Sequence, residues 1–229
     1  MCGTAGNAMD TGPHRDLLQE VGDAVRAEGL KFGFYYSLME WDRQYTDVLG
    51  NEGGSSKDAV AELQKRYINN TMIPDLKDLV LRYHPDVLYT DGEWSWPSDH
   101  WQTKPFLAWL FNESPVKDKI AVNDRWGNDC RGKHGGFYVC EYGGEVSGSC
   151  IADNPTHPWT AHEGMGKSFG YNRIDMYKPP SYFVRVVPFS RDPHLFYSII
   201  MHHAVSNAMV WCGRSVYWCS RWHTGATCS

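Results

Sequence analysis

Nothing in the 229-residue chain is apolar for long enough to cross a membrane as a helix, which takes about 20 residues. The opening residues lack a charged start leading into an apolar run, so no secretory signal is visible. No C-x-x-C pair occurs and no Cys/His set has zinc-finger spacing, which argues against a structural metal. No G-x-G-x-x-G follows a predicted strand, which disfavours a dinucleotide fold. An excess of positive charge is missing as well. Lys plus Arg number 22 against 27 Asp plus Glu, a net of -5, and that is not the balance of a nucleic-acid binder.

What is present is a core and many aromatics. The hydrophobic fraction of 42% is enough for a sizeable interior and excludes wholesale disorder. The length points to one domain, incomplete. Aromatics make up 14%, with 10 Trp and 13 Tyr, which suits either an aromatic-rich core or a sugar-binding cleft. The cysteines number seven, and Cys130, Cys140 and Cys150 are spaced ten apart. One disulfide among these three is compatible with a secreted chain, but spacing does not fix connectivity.

Composition breaks near residue 178. Residues 1–177 carry a net of -9, and residues 178–229 a net of +4 with Asp192 as their one acid. The second segment also holds three cysteines and nine aromatics, with no clean amphipathic period. Tyr197–Met201 and Ser215–Cys219 read as short strands within it. A small separate domain, a poorly packed extension and an out-of-frame translation all fit, so residues 178–229 are set apart as an aberrant, unassigned tail.

The front reads as alternating helices and strands. Leu17, Leu18, Val21, Ala24 and Val25 follow helical spacing, with Asp16 and Glu20 near the start and Gly29 at the end. Residues 31–38 read as a strand, 55–69 as a helix, and a further helix starts around Pro74. Residues 86–91 are a second strand, Pro105 opens a helix through Phe111, and 119–124 are a third strand. This order predicts an α/β fold with a parallel sheet. Glu40, Asp91, Asp124 and Arg125 fall at the C-terminal ends of the strands, where such folds collect functional groups.

Five blocks then become recognisable: residues 29–41, 85–94 (Pro-Asp-Val-Leu-Tyr-Thr-Asp-Gly-Glu-Trp), 112–118, 122–127 (Val-Asn-Asp-Arg-Trp-Gly) and 167–173. In this order they resemble the α-L-fucosidases of glycoside hydrolase family 29, from about Asn7 to about Tyr177. The resemblance implies a (β/α)₈ TIM-like barrel, present here in part over residues 1–177, lacking the first strands and the last. It also implies retaining hydrolysis of terminal α-L-fucose from glycans. Retention needs one carboxylate to attack the anomeric carbon and a second to protonate the leaving oxygen, about 5–5.5 Å apart. Asp91 matches the family's nucleophile, although an Asp before Gly is also a common turn residue. Arg125 matches an arginine that contacts the sugar; a salt bridge to Asp124 is the structural alternative. Tyr36 matches a tyrosine of the fucose pocket, with Tyr35 the adjacent alternative. Tyr89 and Trp94 flank the nucleophile strand and either line the sugar or belong to the core.

The chain also departs from the family. Many members place the acid/base glutamate directly after a tryptophan, and here Thr160 follows Trp159. A threonine hydroxyl cannot act as a general acid near neutral pH. Glu163, three residues on, is the first candidate to replace it and Glu141 the second; a surface loop is the alternative reading of Glu163. The missing strands imply an open sheet edge, a liability in a fold that normally closes. A stable, fully active monomer is therefore expected only if a partner supplies those strands, and a homo-oligomer is left open. A fucosylated-glycan-binding pseudo-enzyme and a non-functional truncated product are the competing expectations. The expected partners are fucosylated glycans or glycoconjugates, with no nucleic acid and no membrane. No metal or organic cofactor is implied, since two carboxylates do the chemistry. The family is typically lysosomal, secreted or periplasmic, and Asn69-Asn-Thr71 and Asn112-Glu-Ser114 are N-x-S/T sequons.

Overall fold

A computed structural model gives, in chain order, α1 (Leu17–Ala27), β1 (Lys31–Ser37), α2 (Lys57–Tyr67), a π-helical turn (Ile68–Met72), α3 (Ile73–Tyr83) and β2 (Val87–Asp91). There follow α4 (Ser98–Trp101), α5 (Thr103–Asn112), β3 (Ala121–Val122), β4 (Tyr138–Glu141), β5 (Trp159–His162), β6 (Leu195–Ile200), β7 (Ala208–Cys212) and β8 (Ser215–Trp218). The structure describes residues 8–10, 12–40, 57–141, 157–162, 166–167, 172–179, 181, 195–200, 208–212 and 215–218.

Local chemistry sets the ends of these elements. Asp16 caps α1, its Oδ1 accepting the Gln19 amide at 3.1 Å. The Tyr83 hydroxyl lies 3.0 Å from both Asp16 oxygens, so one carboxylate starts a helix and ties it to the end of α3. Gly29, at φ +72°, turns the chain into β1 in a conformation that disfavours any side chain. Pro74 sits in the first turn of α3, and left-handed His84 ends that helix.

The helices cover one face of the sheet. Phe32, Phe34 and Leu88 alternate onto that face and are fully buried against Met72, Leu76 and Val80. Phe34 meets the Tyr83 ring edge-on at 5.5 Å between centroids. Each such burial contributes about 1.5–3 kcal/mol. The period of two sends Tyr35 and Tyr89 to the other face, where they form a smaller cluster with Phe137 and Val139.

The sheet has eight strands in the order β3-β2-β1-β7-β8-β6-β5-β4. β1, β2 and β3 are parallel, as are β4, β5, β6 and β8, while β7 runs antiparallel to both of its neighbours. Strands at both sequence-predicted places in the tail occur, and β7 joins them, so three strands from residues 178–229 share this sheet. The two ends of the order are drawn together. The Val122 carbonyl accepts the Gly136 and Phe137 amides at 2.9 and 3.1 Å, just before β4 begins. A Cβ on Gly136 would lie 2.8 Å from that carbonyl oxygen, so only glycine allows this approach. Main-chain bonds thus join the exit of β3 to the entry of β4.

Cys130 is a buried free thiol, held up at about 11 by burial and by the neighbouring Asp129 carboxylate. Cys140 is disulfide-bonded, its partner outside the described side chains. Of the three evenly spaced cysteines, Cys130 is therefore excluded from the pairing. Among the described residues no helix is long and apolar enough to cross a membrane.

Candidate active site

The site grows from the end of β2. In Val87-Leu-Tyr-Thr-Asp91, residues 88 and 90 face the helix layer side and residues 89 and 91 the opposite face. Thr90 is held on every polar atom. Its amide donates to Asn123 Oδ1 at 3.1 Å, Asn123 Nδ2 donates to its carbonyl at 2.7 Å, and its hydroxyl donates to the Arg125 carbonyl at 2.6 Å. Asn123 thus continues the β2–β3 ladder with its side chain, which is why β3 itself needs only two residues. This bonding sets Arg125 beside residue 91.

Asp91 receives two donors. Arg125 Nη1 reaches Oδ1 at 2.9 Å and the Tyr35 hydroxyl reaches Oδ2 at 2.9 Å. Arg125 is 3% exposed and Asp91 20%, so the carboxylate opens to solvent from a buried cation. Gly92 follows at φ +76°, and a Cβ there would lie 3.0 Å from Ser37 Oγ and 3.1 Å from the Met39 amide nitrogen. The Asp91 carbonyl accepts the Leu38 amide at 2.7 Å, which locks the ends of β1 and β2 together.

The alternative pairing of Arg125 with Asp124 is not what the structure shows. The Asp124 oxygens accept the Gly132 amide at 2.8 Å and the Val139 amide at 3.1 Å, which fastens the β3 exit loop to β4. Burial raises the Asp124 carboxyl above its ordinary value, against these amides and the nearby Arg125 charge.

The two adjacent tyrosines separate. Tyr35 stacks on Tyr89 at 6.0 Å and reaches Asp91. Tyr36 packs on the helix side of β1, where burial, with Tyr67 and Asp75 close by, raises its hydroxyl far above the ordinary value. Strand alternation decides which tyrosine meets the carboxylate, and it is Tyr35. Tyr89 is buried beneath the site, and Trp94 stands 45% exposed on the loop leaving β2.

Thr160 is buried in β5 opposite Val139, its hydroxyl 3.4 Å from the Tyr138 carbonyl. Glu163 lies outside the described residues. Glu141 is the last residue of β4, two places after Val139. Sequence reading did not single out Glu93, which is fully buried, bonded to Arg131 Nε through Oε1, and without a hydrogen-bond partner on Oε2 among the described residues. Its signal was a charged residue between Gly92 and Trp94, directly after the strand. Among the described residues no group of three or more His, Cys, Asp or Glu could hold a metal.

A carboxylate fixed by two donors at a strand's C-terminal end, above an aromatic layer, is equipped to attack an electrophilic carbon of a ring-shaped ligand. The family model described as Alpha-L-fucosidase matches residues 4–187. The tissue alpha-L-fucosidase of Rattus norvegicus is 41% identical over 168 residues, covering 73% of this chain and 34% of the relative. That of Homo sapiens is 39% identical over 168 residues, covering 73% and 33%. The crystal structure of Thermotoga maritima alpha-fucosidase in complex with fucose superposes with a TM-score of 0.55 at 26% identity, covering 85% of this chain and 41% of that one. The chain spans about a third of the length of the curated relatives it matches.

Proposed function

The chain belongs to the alpha-L-fucosidase family, and from that premise we propose that it carries the nucleophile-bearing part of a retaining α-L-fucosidase acting on fucosylated glycans. The observation that carries this reading is Asp91, partly open to solvent and held by Arg125 and Tyr35. In the proposed reaction an Asp91 oxygen forms a bond to the anomeric carbon of fucose while the bond to the leaving oxygen breaks. A glutamic acid gives that oxygen its proton. Water, deprotonated by the same glutamate, then releases fucose from the ester. Arg125 and Tyr35 hold the carboxylate in place and aimed, and Tyr89 and Trp94 are the apolar surfaces offered to the sugar.

The general acid is Glu141 or Glu163. Register favours testing Glu141 first. Tyr89 and Val139 share one cluster, Asp91 lies two residues past Tyr89, and Glu141 lies two residues past Val139. The period of two therefore puts positions 91 and 141 on one face, at the same end of the sheet. Glu163, the first choice on sequence alone, follows Thr160 by three residues and becomes the second to test.

In the fold proposed here, residues 1–177 supply part of a (β/α)₈ barrel, and residues 178–229, unassigned as a domain, add three strands to the same sheet. A second reading is a glycan-binding pseudo-enzyme, favoured by Thr160 at the place where many relatives carry the acid.

The test is intact mass after incubation with 2-deoxy-2-fluoro-L-fucosyl fluoride. Fluoride leaves with little acid help, so the reagent interrogates the nucleophile alone. A fucosyl adduct mapped to Asp91 supports the enzyme. A folded chain that binds fucose and takes no adduct supports the pseudo-enzyme instead.

A further inference from the structure

The loop leaving β2 carries two exposed tryptophans that the chemistry at Asp91 leaves unused or half used. Trp94 is 45% and Trp96 38% exposed. Large apolar side chains are normally covered, and two indoles one residue apart are a substantial uncovered surface. They are not loose. The Trp96 amide donates to the Glu93 carbonyl at 3.2 Å, the Asn128 amide donates to the Trp96 carbonyl at 3.0 Å, and Asn128 Nδ2 reaches the Trp94 carbonyl at 3.4 Å. Past them, the Ser98 amide and hydroxyl both donate to the Asp129 carboxylate, at 2.7 and 2.8 Å. The His100 ring backs Trp96 face to face, 4.5 Å between centroids and 16° between planes. Its buried Nε2 has no hydrogen-bond partner among the described residues, and burial lowers its pKa, so a neutral ring supports the indole.

This surface is tied to the reacting carboxylate through a single loop. Arg125 bonds Asp91 and Asn128 bonds the Trp94 and Trp96 carbonyls, and the two lie three positions apart, at most about 11 Å along the chain. The other connection is β2 itself, which ends at Asp91 and runs straight into the two tryptophans. A rigid, flat indole beside exposed polar groups matches a pyranose, which offers one apolar C–H face and a rim of hydroxyls.

We propose that Trp96, backed by His100 and flanked by Trp94 and Asn128, is a stacking platform for the sugar ring to which fucose is attached, so that the preferred ligand is a fucosylated pyranoside rather than fucose alone. This inference rests on the reading that fucose sits at Asp91. The leaving sugar then extends toward solvent along the loop that Asp91 begins.

The test measures, by calorimetry, the affinity of the whole chain for methyl α-L-fucoside and for a thio-linked fucosyl-pyranose disaccharide that cannot be hydrolysed. The expected result is that the disaccharide binds about tenfold tighter than the monosaccharide. That ratio should collapse toward one in Trp96→Ala and be largely kept in Trp96→Phe, which retains a flat ring. A ratio near one in the unaltered chain, a ratio unmoved by Trp96→Ala, or no disaccharide binding at all each overturns the platform. The 2-fluoro-fucosyl fluoride adduct is scored in parallel. An adduct on Asp91 with a failed ratio removes the platform and leaves the enzyme standing; no adduct and no monosaccharide binding removes the reading beneath it.

Discussion

Arg125 and Asp91 meet at 2.9 Å with the cation the more deeply buried partner. A buried guanidinium stripped of its counter-charge costs more than a half-open carboxylate that water can reach, so the pair depends on Asp91 from both sides. Shortening Asp91 to Gly is expected to lower turnover of an aryl α-L-fucoside by at least about a thousandfold. Azide should then enter the space left by the carboxylate, displace the phenolate and give the inverted β-L-fucosyl azide, identified by NMR. Fucose with retained configuration at undiminished rate would remove Asp91 from the chemistry.

Tyr35→Phe isolates one hydrogen bond. The ring still stacks on Tyr89, and the donor to Asp91 Oδ2 is lost. A bond to a charged group is worth about 1.5–3 kcal/mol, so the labelling rate of Asp91 should fall roughly 10- to 100-fold with the melting temperature little changed. An unchanged rate would make the tyrosine a packing residue.

The stretches that folded as read are those whose local chemistry and tertiary environment agree. The predicted strand at 31–38 is β1, the one at 86–91 is β2, and the helices begun at Leu17 and Pro74 are α1 and α3. Each has a full apolar stripe and its own stop signal. The third strand was read over six residues and has two, because Asn123 continues the ladder by its side chain, which no periodicity reveals. The short α4 and left-handed Gln102 were unreadable for a similar reason, since Ser98 is fixed by Asp129 from a distant loop. Asp91 was legible through its block, whereas the choice of Tyr35 over Tyr36 depended on which face of β1 the helices cover. β4, β5 and β7 are short and carry too little pattern to be told from loop.

Gly33→Ala tests the closeness of β1 and β2. Gly33 pairs with Val87, and an added Cβ would lie 2.8 Å from both the Val87 Cβ and its carbonyl oxygen. The strands must part or shift to admit it. A loss of about 1–3 kcal/mol in denaturant unfolding is expected. Since the same pairing sets Ser37 against Asp91 four residues on, labelling of Asp91 should slow as well. A variant as stable as the parent would show that the strands yield freely here.

Asp86, at the opposite end of β2 from Asp91, does structural work. Its Oδ2 accepts the Phe32 amide at 3.1 Å, and Lys31 and Lys119 each bring Nζ within 3.4 Å of Oδ1, so one carboxylate pins the entries of β1, β2 and β3. Burial opposes its ionisation, but the Phe32 amide and the two lysines outweigh it and hold its pKa below the ordinary value. The unfolded chain therefore binds this proton first as pH falls. The stabilisation is complete above about pH 4 and is lost as pH drops through the depressed folded value. Asp86→Asn should be less stable than the parent at pH 7, by about 1–2 kcal/mol. Below about pH 4 the two unfolding curves should converge, because the parent is losing what the variant never had. Parallel curves down to pH 2 would mean the carboxylate's charge contributes nothing. The fall in affinity for methyl α-L-fucoside should be no larger than the loss of folded protein accounts for, since strand entries in parallel α/β folds carry stability and strand exits carry chemistry.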